Sequence, residues 1–301
     1  MAYLRIIRPA NLLLIVLVQC LIKFAIFPAF NTQTALTAGQ FILLVLASVL
    51  IAAAGNVIND INDVEIDRIN KPDRLLVSKK ISEKKAYNYY FILNIAGVIT
   101  GFLLANYLGK PALAAIFIVV SALLYMYSTQ IKSMLVFGNL LVSMLVSLSL
   151  LIVVIFDIYP VIENTISPAQ SKSSGLVLHY AIFAFVLNFI REIVKDLEDI
   201  NGDRKGEMHT LAIVLGRMRT TRIVFFLSVL TIVGIVIYMY TFIYSQQLMV
   251  LYFLLFIVAP LLYFCIRCWG AEKKHEYAFL SLLLKIVMFT GMLSMLGYKY
   301  F

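Results

Sequence analysis

The stretch that decides the fold and the chemistry is Asp60-Ile61-Asn62-Asp63-Val64-Glu65-Ile66-Asp67-Arg68. Its pattern, D-x-x-D-x-x-x-D-R, returns as Asp196-Leu197-Glu198-Asp199-Ile200-Asn201-Gly202-Asp203-Arg204, 136 positions later. On a helix, residues at i, i+3 and i+7 share one face, so each copy predicts three stacked carboxylates. Like charges at that spacing destabilise a helix. A hard divalent cation, Mg²⁺ or Mn²⁺, bridging to a substrate phosphate would offset the repulsion.

Outward from these motifs the chain is apolar. Of 301 residues, 62% are hydrophobic and 14% are charged, whereas soluble domains carry about 25% charged residues. The apolar residues come in runs near the ~20 residues that a bilayer requires. Nine spans are predicted, at about 12–30, 41–58, 87–108, 112–129, 134–156, 176–194, 223–243, 248–266 and 278–297. The expected fold is an all-α integral membrane protein, a nine-helix bundle forming a single polytopic domain over 1–301, with a weak internal repeat (59–74 and 191–205). The first apolar run is long enough to span and lacks an A-x-A-like end, which argues against a cleavable leader. Cys265 and Cys268 form a C-x-x-C pair with no second pair, so they are read as ordinary span residues. His179, His209 and His275 form no metal pattern and are read as structural.

The 25 Lys and Arg residues set the orientation. Twenty fall in the N-terminal tail and the segments after spans two, four, six and eight. Only Lys110, Lys172 and Lys299 lie on the opposite side, and Lys23 and Lys285 lie within spans, where they are expected to snorkel. Positive residues mark the cytoplasmic side. The N-terminus and both aspartate motifs are therefore expected at the cytoplasmic face of the plasma membrane, and the C-terminus outside. The net charge of +9 is read as topology and phosphate binding rather than nucleic-acid binding, because the basic residues flank the spans. No obligate protein partner is implied.

Of the 16 acidic residues, twelve fall within 60–83 and 192–207. Around the first motif the ligands are all oxygen donors (Asn59, Asp60, Asp63, Asp67), with neither His nor Cys, which favours Mg²⁺ or Mn²⁺ over zinc. Arg68, Lys71 and Arg74 follow. Carboxylates for metal and cations for the remaining phosphate oxygens are what a metal–diphosphate complex needs. The second motif supplies Asp196, Asp199 and Asp203, then Arg204 and Lys205. Gly202 and Gly206 predict that the helix ends or loosens there, with the segment to Gly216 as a cap. Lys132 is the one base in its short loop, read equally as topology anchor and phosphate ligand. Arg8, Asn11, Tyr127 and Ser128 mark the mouth, where donor or acceptor would enter. The Phe, Tyr, Leu and Met of the spans suit a polyisoprenoid chain.

Asn59-Asp60-x-x-Asp63-x-x-x-Asp67 resembles the N-D-x-x-D-x-x-x-D motif of the UbiA superfamily of intramembrane prenyltransferases, and Ala53-Ala54-Gly55 before it and Asp73-Arg74 after it fit too. Asp199-x-x-x-Asp203, preceded by Asp196, resembles the second aspartate motif of that family. The opening Ala2-Tyr3-Leu4 to Arg8-Pro9-x-Asn11 and the run Arg191 to Asp199 are similar to its digeranylgeranylglyceryl phosphate synthase branch. The sequence departs from the family where Leu75 follows Arg74 and Lys79 follows Ser78, positions commonly Arg-Pro and Ser-Gly.

The resemblance implies Mg²⁺-dependent transfer of a polyprenyl group, geranylgeranyl in that branch, from an allylic diphosphate donor to a lipophilic acceptor, geranylgeranylglyceryl phosphate. It makes Asp63, Asp67, Asp199 and Asp203 the central catalytic carboxylates. Prenylation of an aromatic quinone precursor is the alternative within the family. An ion-coupled secondary transporter is the alternative of another class, although transporters place acids near the bilayer midplane.

Overall fold

The computed structural model describes residues 1–73 and 75–300. Among them there is no strand, and a single isolated bridge pairs Val77 with Ile81. Nine helices among the described residues are long and apolar enough to cross a membrane. They are span one (Pro9–Ala29), two (Ala38–Asn62), three (Glu83–Tyr107), four (Pro111–Thr129), five (Phe137–Val161), six (Pro168–Lys205), seven (Arg217–Ile243), eight (Gln247–Trp269) and nine (Lys274–Lys299). Each coincides with one of the apolar runs predicted from the sequence, and three of those runs (12–30, 87–108 and 134–156) overrun their helix by one to three residues.

The chain packs as two compact units. One comprises Met1–Lys132 and Leu148–Leu178, and the other Ser133–Ser147 and His179–Phe301. In the first unit, spans two, three and four approach closely because small residues line their contacts. Gly97 and Gly101 lie one turn apart on span three. A Cβ at Gly97 would stand 2.7 Å from the Ile51 side chain, and one at Gly101 would stand 2.2 Å from Phe117. The cytoplasm-predicted end of span two is wrapped by a separate cluster in which Ile6, Val57, Ile58, Ile61, Val77, Ile81 and Tyr90 are buried together. The N-terminal turn and the loop after motif one thereby hold the end of span two, where the first aspartates stand. That loop folds tightly. Ser78 takes the left-handed φ of 71°, its N–H donates to the Ile81 carbonyl at 3.0 Å, and Lys79 Nζ donates to the Pro72 carbonyl at 2.7 Å.

Lys23 does not snorkel. It lies in a π-helical segment, Ile22–Ile26, and its ammonium pairs with Asp157 at 2.7 Å. It also donates to Thr34 Oγ1 at 3.1 Å and to the Leu36 carbonyl at 2.9 Å. Asp157 is fully buried and accepts from the Leu36 N–H at 2.7 Å. A buried carboxylate within reach offers the ammonium a better partner than a distant headgroup region.

The second unit is built on a core that runs from Leu187 to Val287 and includes Val194, Leu197, Phe264, Tyr277 and Leu284. Span six is a 38-residue helix. At ~1.5 Å per residue it is about 57 Å long, well beyond a ~30 Å hydrocarbon core. Motif two therefore rides on a rigid extension of the span. Of the two glycines expected to end or loosen the helix, Gly202 does not, since the helix continues through it, but the helix stops at Lys205, immediately before Gly206. The Gly206 N–H still donates to the Gly202 carbonyl at 2.8 Å, and the chain turns at Glu207, which has φ 54°. The segment expected to act as a cap carries a helical turn, Leu211–Val214, and its His209 N–H donates to the Ser133 carbonyl at 3.0 Å.

Candidate active site

Motif one is not one continuous helix. Span two ends at Asn62, Asp63 occupies a junction with φ −90° and ψ 3°, and a second helix runs Val64–Asn70. The backbone still steps by fours across the junction. The Asp63 N–H donates to the Asn59 carbonyl at 2.9 Å and the Asp67 N–H to the Asp63 carbonyl at 2.8 Å. Asn59, Asp63 and Asp67 thus keep their i, i+4, i+8 relation. Bridge-region backbone of this kind recurs at active sites.

Asp63 is 6% exposed, and two donors converge on its Oδ2. One is Asn59 Nδ2 at 2.7 Å and the other is the Lys132 ammonium. The sequence left Lys132 balanced between anchor and ligand; the structure brings it to the central carboxylate. Asp60 is held from the other side, Arg8 Nη2 donating to its Oδ1 at 2.6 Å. Arg8 takes the left-handed φ of 54° just before Pro9, and Asn56 Nδ2 pins the preceding Ile7 carbonyl at 2.9 Å. The strained backbone at Arg8 turns its side chain back onto motif one. These two cations supply the positive charge that the carboxylate cluster demands.

Burial, and then the charge of Asp63, hold the Asp67 carboxyl above the ordinary carboxylate range, while Lys71 and Lys132 pull the other way. Lys71 is thus within the field of Asp67. Arg68 is exposed and pairs with Glu65 at 3.1 Å, so it is not drawn onto the carboxylates. Arg74 lies outside the described residues. Of the residues expected to mark the mouth, Asn11 is exposed on span one, and Tyr127 and Ser128 lie in the last turn of span four. Ser128 Oγ is buried and makes no hydrogen bond.

On motif two, the unbroken helix places Asp196, Asp199 and Asp203 on one face. Asp203 is buried and Asp199 half-buried. Asp196 Oδ2 accepts from Asn139 Nδ2 at 2.8 Å. Asn139 was not singled out by its sequence. It begins a short polar ladder, in which Ser143 Oγ donates to the Asn139 carbonyl at 2.6 Å and Asn188 Nδ2 donates to Ser143 Oγ at 3.3 Å. Polar groups inside spans are expensive and mark functional positions by default. The available signal was three polar residues in the apolar runs of spans five and six; Ser143 and Asn188 are buried, and Asn139 is half-buried near the start of span five. Arg204 and Lys205 are exposed in the last helical turn, where cations also suit the helix dipole.

Among the described residues, no three His, Cys, Asp or Glu side chains are gathered into a metal-holding cluster. The donor set nevertheless fits a hard cation. It consists of carboxylate and amide oxygens only. Asp67 is disfavoured as an anion beside Asp63, and Asp63 already attracts an ammonium. A 420 Å³ apolar cavity in the first unit, lined by Leu113, Val154, Ile158 and Ile166 among others, holds none of the motif residues and is not the chemical site.

The model of the UbiA prenyltransferase family matches residues 21–291. The digeranylgeranylglyceryl phosphate synthase of Korarchaeum cryptofilum is 33% identical over 98% of this chain and 96% of its own. That of Methanosphaera stadtmanae is 29% identical over 97% of each chain. Among solved structures, a digeranylgeranylglyceryl phosphate synthase superposes with a TM-score of 0.64 at 24% identity, covering 100% of this chain and 98% of that one. A UbiA homolog from Archaeoglobus fulgidus bound to DMAPP and Mg²⁺ superposes with a TM-score of 0.54 at 18% identity over 99% of both chains. These structures show the fold, and membership of an enzyme family sets the transporter alternative aside. A family match over most of the chain, a relative one-third identical along nearly its whole length and nine membrane-crossing helices lead to one conclusion: this multi-pass membrane protein belongs to the UbiA prenyltransferase family.

Proposed function

We propose that this enzyme transfers a geranylgeranyl group from its allylic diphosphate to the free hydroxyl of geranylgeranylglyceryl phosphate, as the names of its relatives suggest. The observation that carries the reading is the Asn59–Asp63–Lys132 cluster, a buried oxygen-ligand set with an ammonium already on it. Its chemistry suits a diphosphate. Residues 1–301 are read as one prenyltransferase domain, and each compact unit carries one of the two aspartate motifs.

Asn59, Asp60, Asp63 and Asp67 of motif one and Asp196, Asp199 and Asp203 of motif two would hold Mg²⁺, with Mn²⁺ as substitute. The bound cation supplies Lewis-acid charge to the leaving diphosphate. The rest falls to the chain. Lys132, Lys71 and Arg8 bring cationic charge to motif one, with Arg68, Arg74, Arg204 and Lys205 as outer diphosphate partners. Asn139 fixes the rotamer of Asp196. Asn11, Tyr127 and Ser128 line the mouth. The apolar spans keep water from the reacting carbon. The allylic C–O bond breaks and its electron pair leaves with the diphosphate. The acceptor oxygen forms the new ether bond, and its proton passes to the released diphosphate.

Both motifs and the N-terminus are assigned to the cytoplasmic side of the plasma membrane and the C-terminus to the outside, on the asymmetry of Lys and Arg. Mass spectrometry of products tests the reading. Geranylgeranyl diphosphate is offered with geranylgeranylglyceryl phosphate and an aromatic quinone precursor. A lipid carrying a second prenyl ether is expected; a prenylated aromatic in its place would overturn the acceptor assignment.

A further inference from the structure

The 420 Å³ cavity of the first unit takes no part in the motif chemistry. Its walls are Leu113 from span four, Val154, Ile155 and Ile158 from span five, and Ile162 and Ile166 from the connection to span six. Leu113 stands in the first turn of span four and Ser128 in its last, about 22 Å further along the helix. The cavity therefore lies at the end of the spans opposite motif one. Tyr159 and Ile166 line it while 54% and 47% exposed, so it opens to the outside of the protein. At the ends of membrane-crossing helices that outside is the margin of the bilayer.

Two polar groups mark the cavity. Ser174 of span six lines it, and the Ser174 Oγ is buried and makes no hydrogen bond. A buried hydroxyl without a partner is costly. At the rim, the Lys110 ammonium stands 5.8 Å from the centre of the Tyr159 ring, over its face, and Tyr159 belongs to the lining. The aromatic face holds the cation beside the opening. Lys110 is exposed, and the exposed Lys172 comes two residues before Ser174. Glu163 is the one acidic residue in 108–113 and 158–174, so these segments carry net positive charge. Asp157, next to Ile158 in sequence, is already paired with Lys23.

These features specify a ligand with three parts. Apolar walls exclude water and accept an apolar guest, and the volume lies within the roughly 300–1,000 Å³ of ligand pockets. The lone hydroxyl in the wall calls for an oxygen acceptor. The cation at the rim calls for an anion. A hydrocarbon chain, a glycerol oxygen and a phosphate occur in that order in a phospholipid.

We propose that this cavity is a binding site for one chain of an anionic membrane phospholipid, with Ser174 Oγ donating to a glycerol oxygen and Lys110 on the phosphate. The site is separate from the motif carboxylates, and it stands whichever acceptor the enzyme uses.

Native mass spectrometry of the full chain, extracted from vesicles of equal phosphatidylglycerol and phosphatidylcholine, tests the proposal. One retained phosphatidylglycerol per chain is expected, favoured at least fivefold over phosphatidylcholine. Lys110→Gln should lower that preference roughly fivefold, the scale of one basic residue beside an anionic headgroup. Val154→Phe, which fills the cavity, should abolish retention of either lipid. In detergent, added phosphatidylglycerol should raise the melting temperature of the wild type and not that of Val154→Phe. If Val154→Phe fails to fold, Ile166→Trp at the exposed rim makes the same comparison. Absence of retained lipid from the wild type, equal retention of both lipids, or undiminished retention in the filled variant overturns the proposal. So does a dimer of the chain, free of lipid, that the filled variant cannot form, because the cavity would then seat a second copy.

Discussion

Lys132 places its ammonium on the Asp63 carboxylate, although 69 residues separate the two in sequence. The lysine comes from the loop after span four and the aspartate from a break at the end of span two. Neither residue explains the other from its local sequence. Together they put a cation and an anion at the centre of motif one. Lys132→Met should raise the donor KM roughly 10- to 100-fold, since hydrogen bonds to charged groups contribute about 1.5–3 kcal/mol. Lys132→Arg should restore only part of this. Steady-state kinetics with varied donor checks it.

Asp67 has a raised carboxyl pKa, caused first by burial and then by Asp63. The folded protein therefore holds the Asp67 proton more tightly than the unfolded chain does, and ionisation costs stability as pH rises. Asp67→Asn should melt higher than the wild type in EDTA at pH 7, with a gain of about 0.2–0.5 kcal/mol from the relieved like-charge pair. The gap should be absent well below the unfolded carboxyl value of ~3.9 and grow as pH climbs past it. Thermal unfolding in detergent from about pH 2.5 to about pH 8 measures this. The same variant should lose prenyl transfer.

Asn139 holds Asp196 by one hydrogen bond of 2.8 Å. Removing a residue that orients a metal ligand commonly costs 10- to 100-fold in metal affinity. Asn139→Leu should therefore raise the Mg²⁺ concentration for half-maximal rate by about tenfold. Its donor KM at saturating Mg²⁺ should stay near that of the wild type. A Mg²⁺ titration of initial rates gives the comparison.

The Lys23–Asp157 pair predicts a stability effect unconnected with motif chemistry. Asp157 is fully buried and Lys23 nearly so. Removing one partner leaves a buried charge, at a cost of about 3–5 kcal/mol. Lys23→Met alone should thus lower the melting temperature sharply. Lys23→Met with Asp157→Leu should recover much of the loss, though the Leu36 N–H loses its acceptor.

The nine spans were legible because hydropathy over ~20 residues is a strong local signal. The carboxylate triads were legible because the same spacing occurs twice. What escaped the sequence depends on tertiary placement. D-x-x-D-x-x-x-D reads alike on a continuous helix and on two helices meeting at Asp63, and the first motif takes the second form while motif two takes the first. Gly202 has the composition of a helix end, yet the helix passes through it, because the chain turns only at Glu207. Lys23 looked like a snorkelling lysine until the fold brought Asp157 to it. Asn139 carries no local signal of its own, and only packing against span six reveals its partner.

The central claim is that the motif carboxylates run the chemistry, and Asp63 is its sharpest point. The decisive measurement is donor consumption by Asp63→Ala, with geranylgeranyl diphosphate, an acceptor and Mg²⁺, on protein shown by size exclusion and thermal unfolding to be folded. The predicted result is a loss of turnover of at least 10²-fold, the scale of removing a preorganised electrostatic group. Wild-type turnover by folded Asp63→Ala would contradict it.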